Sequence, residues 1–240
     1  DQYEEMTEQP DQPLGKPCGD LKELTVEGLS CAAGELSILK DVSAKFLPGE
    51  KYLITGESGS GKSTLLRLIA RVGELGYAGK ICWNGTELGE LAESGLYEKL
   101  CPVFQEPYLF YASLSENILL GRKVSEETYR KIIQKLNLGY LLERCGDREL
   151  DAKAVEQLSG GERQRIALAR AMVGAPQIYL LDEVTSALDQ KTARLIEELM
   201  LSQEATVIHI SHKPNPELLP RYQVHLHMRD GRLVEAASEI

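Results

Sequence analysis

Gly56-Glu57-Ser58-Gly59-Ser60-Gly61-Lys62-Ser63, followed by Thr64, is the stretch that decides how this chain is read. It fits G-x-x-x-x-G-K-[ST], the pattern of a loop that holds phosphate groups. Each residue type has a task on a triphosphate. The glycines let the backbone turn tightly and aim its N–H groups inward. The Lys62 ammonium can reach the β- and γ-phosphates, and the Ser63 hydroxyl can ligate Mg²⁺. Tyr52-Leu53-Ile54 before the loop reads as a buried strand. Leu65-Leu66-Arg67-Leu68-Ile69-Ala70 after it reads as a helix, whose N-terminus favours an anion. Gly56, Glu57, Ser58, Gly59, Ser60, Gly61, Lys62, Ser63 and Thr64 are therefore the expected triphosphate-binding residues.

Composition narrows what surrounds this loop. The chain has 240 residues, 42% hydrophobic and 27% charged, enough for one domain with a sizeable core. A net charge of −10 leaves no electrostatic footprint for nucleic acid, so none is expected as a partner. No apolar run approaches the roughly 20 residues that span a bilayer. Asp1-Gln2-Tyr3-Glu4-Glu5 is acidic and lacks signal-peptide character, and the missing initiating Met reads as a cut from a longer protein. Cys18, Cys31, Cys82, Cys101 and Cys145 are odd in number and scattered, which favours free thiols in a reducing compartment. His225 and His227 alternate on an apparent strand and read as solvated residues rather than a metal pair.

Along the chain, residues 1–20 are rich in Glu, Asp, Gln and Pro and read as a linker or terminal segment. Short alternating runs follow at Leu24-Thr25-Val26 and Val42–Phe46. Lys80–Trp83 with Asn84-Gly85 reads as a strand entering a hairpin. From Ser113 to Cys145 the pattern turns helical. Ser125 is a candidate N-cap without a full capping box, and Tyr129, Ile132, Ile133 and Leu136 share a face. Ile178–Leu181 and Thr206–Ile210 are continuous apolar runs suited to a parallel sheet buried on both faces, with a helix at about 190–201 between them. The expected fold is α/β, a parallel-sheet core interrupted by a helical insertion.

Two further segments carry chemistry. Leu158-Ser159-Gly160-Gly161-Glu162 opens a helix, and its Ser and glycines make a second anion cradle; alone, the segment reads equally well as a glycine-containing cap. Ile178–Leu181 ends in Asp182-Glu183. A carboxylate at the end of a strand beside a phosphate loop can hold the Mg²⁺ shell, and the next can deprotonate an attacking water.

On these residues the sequence resembles the nucleotide-binding domain of an ABC transporter. Leu158–Glu162 matches that family's LSGG-E signature, and residues from about 21 to 235 follow its order of motifs. The resemblance implies a P-loop NTPase core with a parallel sheet, a small antiparallel β subdomain and a helical signature subdomain. It sets the domain at 21–240, with the helical part inserted at about 107–173. It implies ATP and Mg²⁺, with Ser63, Gln105 and Asp182 toward the metal. Val103-Phe104-Gln105-Glu106 resembles the Q-loop, so Gln105 should approach the metal and the attacking water. Ser186-Ala187-Leu188-Asp189 resembles the D-loop, which places Asp189 at a dimer interface. Ser211-His212 resembles the switch histidine; His209 lies within the apolar strand and is the poorer choice. The catalytic set is then Glu183, His212, Gln105 and Lys62. Ser159, Gly160 and Gly161 should contact the γ-phosphate bound to a second nucleotide-binding domain, identical or different, packed head to tail.

Two stretches depart from the family pattern. Leu29-Ser30-Cys31-Ala32-Ala33-Gly34 holds no aromatic residue to stack on adenine, so ATP affinity should be weakened, or Tyr3, Tyr52 or the partner should substitute. Glu149–Glu156 lacks the T-E-V-G-E-R-G-like segment common in exporter domains. Gln105–Phe110 and Ser115-Glu116-Asn117-Ile118 nevertheless look like the exporter branch. The expected setting is the cytoplasmic face of the cell membrane, beneath a transmembrane partner. The alternatives are a soluble ABC ATPase and a regulatory ATP-binding half of a heterodimer. Lys62 and Ser159 stand 97 positions apart, which leaves no room for the coiled coil of DNA-maintenance members.

Overall fold

The computed structural model describes residues 15–73, 75–146, 150 and 152–235. Two sheets organise them. The first is antiparallel, with strand order β2-β1-β4-β5, built from β1 (Leu24–Ala33), β2 (Leu36–Phe46), β4 (Tyr77–Trp83) and β5 (Thr86–Glu87). The hairpin expected at Asn84-Gly85 joins β4 to β5, and both turn residues take positive φ, 52° and 79°.

The second sheet has order β10-β9-β3-β8-β7-β6. Its strands are β3 (Lys51–Gly56), β6 (Leu100–Val103), β7 (Ile178–Asp182), β8 (Thr206–Ile210), β9 (Val224–Arg229) and β10 (Arg232–Glu235). All neighbours run parallel except β9 and β10. Every residue of β7 and β8 is buried, as their continuous apolar runs require of strands covered on both faces.

The helices are α1 (Lys62–Ile69), α2 (Glu93–Lys99), α3 (Leu114–Leu119), α4 (Glu126–Lys135), α5 (Gly139–Cys145), α6 (Ala152–Glu156), α7 (Gly160–Gly174) and α8 (Gln190–Leu201). α3 to α7 fall between β6 and β7 in sequence, and α3 and α4 pack on α7. Ser125 caps α4 by accepting the Thr128 N–H, and Ile132, Ile133 and Leu136 are buried beneath it. Among the described residues two large apolar cores result, beside a small third of Leu53, Leu201, Leu218 and Tyr222. One joins the antiparallel sheet to α1 and the near side of the parallel sheet; the other joins the helical insertion to β7.

Part of the 1–20 segment is tied to the fold. Lys16 exchanges backbone bonds with Glu90 and Ala92, and the Trp83 indole donates to the Gly19 carbonyl at 2.9 Å. All five cysteines are free thiols. His225 and His227 are half-buried rather than solvated: one contacts the Leu219 carbonyl at 3.2 Å, the other the Thr55 hydroxyl at 3.1 Å. Among the described residues no His, Cys, Asp and Glu cluster could hold a metal, and no helix is long and apolar enough to cross a membrane.

Candidate active site

The carboxyl ends of four neighbouring parallel strands collect the residues singled out in the sequence. In open α/β sheets this is where ligands bind. β3 delivers 56–61, β8 delivers Ser211 and His212, β7 delivers Asp182 and Glu183, and β6 leads to Gln105. Register makes the convergence specific: Ile54 and Asp182 both pair with Ile210, so the loops beyond them start level. Two backbone bonds knit them further. Ser211 N–H donates to Ile54, and Glu183 N–H donates to Ile210. Glu183 itself takes a positive φ of 51°, uncommon outside glycine and enriched at functional sites.

The glycines of the phosphate loop are needed at two places. Gly56 has φ 142°, and a Cβ there would lie 2.1 Å from the Met228 carbonyl oxygen. Gly61 has φ 105°, and its Cβ would meet Leu39 of β2 at 2.7 Å. The loop therefore wraps closely around Lys62, which is buried and donates to the carbonyls of Gly56 and Glu57 at 2.9 and 2.7 Å. Burial lowers the Lys62 ammonium's pKa, and nearby Glu183 and Asp182 oppose that shift. Ser58 and Gly59 are exposed at the loop tip, and Thr64 follows in the first turn of α1.

Next to Lys62, the Ser63 hydroxyl donates to Oδ1 of Asp182 at 2.9 Å. Burial raises the Asp182 carboxyl's pKa; the Ser63 bond opposes this. A hydroxyl and a carboxylate held together at a phosphate loop are hard oxygen donors of the kind Mg²⁺ takes. The residues therefore fit the ion. His212 lies with Nε2 2.7 Å from Oε1 of Glu183, both partly exposed. His209 is fully buried instead, as its place inside β8 required.

The signature segment is elsewhere. Ser159 caps α7 in a complete capping box: its hydroxyl accepts the Glu162 N–H at 3.2 Å, and Glu162 accepts the Ser159 N–H at 2.7 Å. That pattern, S-x-x-E, was legible in Ser159 and Glu162 and again in Ser113 and Glu116, which cap α3 in the same way. Burial pushes the Glu162 carboxyl up, but bonds from Ser159 and Tyr140, with Arg144 nearby, hold it below its ordinary value. Gly160 and Gly161 pack on Ala187 and Leu188, where a Cβ would sit at 3.2 and 2.9 Å. Among the described residues no hydrogen bond joins Ser159–Gly161 to the phosphate loop.

Asp189 is exposed and caps α8 by accepting the Thr192 N–H at 3.0 Å, which lowers its pKa. Gln105 is exposed and lines a cavity of about 740 Å³ with Glu106, Tyr108, Gly160, Arg163 and Ser186. Its loop is held from behind by the Gln164 amide, which donates to the Phe104 carbonyl at 3.3 Å.

Tyr52 does not offer an adenine platform. Tyr52 is 2% exposed, packs edge-on against Phe46 and has its hydroxyl engaged by Leu47 N–H and Glu50. It is a core residue and cannot stack on a base. Tyr3, Glu149 and Asp151 lie outside the described residues.

Comparison with known proteins agrees with this geometry. The family model for ABC transporter matches residues 39–186. ABC transporter B family member 13 of Arabidopsis thaliana is 32% identical over 95% of this chain and 19% of its own length. The glutathione/L-cysteine transport system ATP-binding/permease protein CydC of Escherichia coli is 35% identical over 83% of this chain and 35% of its own. A bacterial Atm1-family ABC exporter solved with ATP bound superposes with a TM-score of 0.81 at 28% identity, over 94% of this chain and 40% of that one. The chain thus spans about a fifth of the first of these curated relatives and about a third of the second.

Proposed function

The chain belongs to the ABC transporter family, as an ATP-binding domain, and from that premise we propose that it hydrolyses ATP to drive a membrane exporter. The observation that carries the reading is the pairing of Ser63, in the first turn of α1, with Asp182 at the end of β7, and of Glu183 with His212 beyond the ends of adjacent strands β7 and β8.

Lys62 and backbone N–H groups of the 56–61 loop hold the phosphates, and the α1 N-terminus adds its dipole. Ser63 and Asp182, with Gln105, would hold Mg²⁺, which when bound would offset the charge that spreads over the phosphoryl oxygens. Glu183 takes the proton of the attacking water at its carboxylate. His212 keeps that carboxylate aimed through Nε2. Products are ADP and inorganic phosphate.

Ser159, Gly160 and Gly161 serve a second domain's nucleotide rather than their own. That no hydrogen bond joins them to the phosphate loop among the described residues supports this, as does the exposure of Ser159, Gly160 and Asp189. ATP then holds two domains together and hydrolysis releases them, a switch set by the γ-phosphate. A transmembrane partner and a position at the cytoplasmic membrane face follow from the exporter reading. That reading leans on relatives such as the β-(1→2)glucan export protein NdvA of Rhizobium johnstonii, 36% identical over 83% of this chain.

Phosphate release by the full chain with Mg²⁺ and ATP tests the proposal. Lys62→Ala should lower turnover by about a hundredfold or more, as for groups that stabilise transition-state charge. Equal turnover in that variant would refute it.

A further inference from the structure

Behind the Glu183–His212 pair lies a buried polar chain that the reaction does not use. Tyr222 donates its hydroxyl to Oε1 of Glu197 at 2.8 Å, and Nδ1 of His209 lies 2.6 Å from the same Tyr222 oxygen. With the Tyr222 proton given to Glu197, the His209 N–H donates to Tyr222. The other Glu197 oxygen accepts the Asn215 backbone N–H at 3.4 Å. All three side chains are 5% exposed or less. Tyr222 and both Glu197 oxygens are paired in this network, as is Nδ1 of His209, while Nε2 of His209 is buried without a partner. Buried bonds of this kind hold the joined elements in one arrangement.

Its position is informative. Glu197 lies on α8; Asn215 and Tyr222 bracket a short 3-10 turn, Pro216–Arg221. One carboxylate therefore pins both ends of the segment that continues from His212. Tyr222 also seats its ring among Leu53, Leu201 and Leu218, and Arg194 of α8 pairs with Glu217 of the turn at 2.6 Å. Glu183, His212, Asn215 and Glu197 line one cavity of about 680 Å³.

We infer that Glu197 and Tyr222 are positioning residues for His212, holding its segment on α8 so that Nε2 meets Glu183. This rests on the hydrolytic reading above. Tyr222→Phe keeps the ring and removes the hydroxyl. In the full chain it should lower kcat by about tenfold or more, since small misplacements of a catalytic group are costly. KM for ATP should stay within about threefold, because phosphate binding is untouched. Glu197→Gln retains an acceptor for Tyr222 and should fall between wild type and Tyr222→Phe. In a His212→Ala background, read by single-turnover hydrolysis, Tyr222→Phe should cost nothing further.

An unchanged kcat in Tyr222→Phe, or an equal loss in the His212→Ala background, would overturn the inference. If Tyr222→Phe does not fold, Glu197→Gln decides by the same criterion: reduced kcat supports positioning and wild-type kcat refutes it. A wild-type chain without hydrolysis would instead remove the functional reading.

Discussion

Nε2 of His212 and Oε1 of Glu183 stand 2.7 Å apart although the residues leave different strands, β8 and β7. The contact exists because Ile210 pairs with Asp182 in register, so the first residue beyond β7 and the second beyond β8 leave neighbouring strand ends that start level. A one-residue slip would turn these strand ends to opposite faces and separate the pair.

His212→Ala should therefore lower kcat for ATP hydrolysis by about 10²–10⁴-fold, the usual range for a group that serves proton transfer. KM should move little. Steady-state phosphate release against ATP concentration separates the two, and a rise in KM with normal kcat would assign His212 to binding alone.

Ser113 and Ser159 offer an internal control. Both cap a helix through a complete capping box, so replacing either with Ala should cost about 1 kcal/mol of stability. Only Ser159→Ala should also impair hydrolysis, because only Ser159 is expected to meet a γ-phosphate. Denaturant titration beside an ATPase assay reads both effects. Equal turnover losses in the two variants would show that Ser159 acts as a cap and nothing more.

Tyr52→Phe should leave ATP affinity unchanged while costing about 1 kcal/mol of stability, since its hydroxyl serves the Leu47 N–H. With no aromatic at Leu29–Gly34, the stacking energy of about 1–3 kcal/mol per base is missing. ATP should bind more weakly than the low-micromolar range, and GTP should compete within about tenfold. Isothermal titration of both nucleotides checks this; tight, adenine-selective binding would contradict it.

Acid should destabilise the fold through His209. Burial depresses its pKa from 6.5 to about 4. Between these values the unfolded chain binds a proton that the folded chain refuses, so stability falls as pH drops through that window. The loss should reach about 2 kcal/mol at pH 5 relative to pH 7. His209→Gln should flatten this dependence. Urea titrations at pH 7 and pH 5 measure it, and an equal pH loss in the variant would assign the effect elsewhere.

Much of this architecture was legible in the residues. Continuous apolar runs gave β7 and β8, and the motif order marked the strand ends where Lys62, Asp182, Glu183 and His212 gather. What escaped was set by tertiary context. Tyr52 looked available as a substitute, but β3 is covered on both faces and its ring packs in the core against Phe46. His225 and His227 looked solvated, yet β3 and the turn before β9 cover them. The Glu197–Tyr222–His209 chain joins a helix, a strand and the end of a 3-10 turn, and no local spacing announces it. Ser159–Glu162 was the opposite case, a local capping pattern overshadowed by its glycines.

In the proposed mechanism the phosphate loop is half of a site, and Glu183 fires it. Glu183→Gln removes the base while keeping the side chain's shape. Light scattering of the full chain with Mg²⁺ and ATP, read beside phosphate release, tests both parts at once. The expected result is an ATP-dependent doubling of mass that persists in Glu183→Gln, with steady-state hydrolysis lost. A variant that stays monomeric with ATP and turns over like wild type would contradict it.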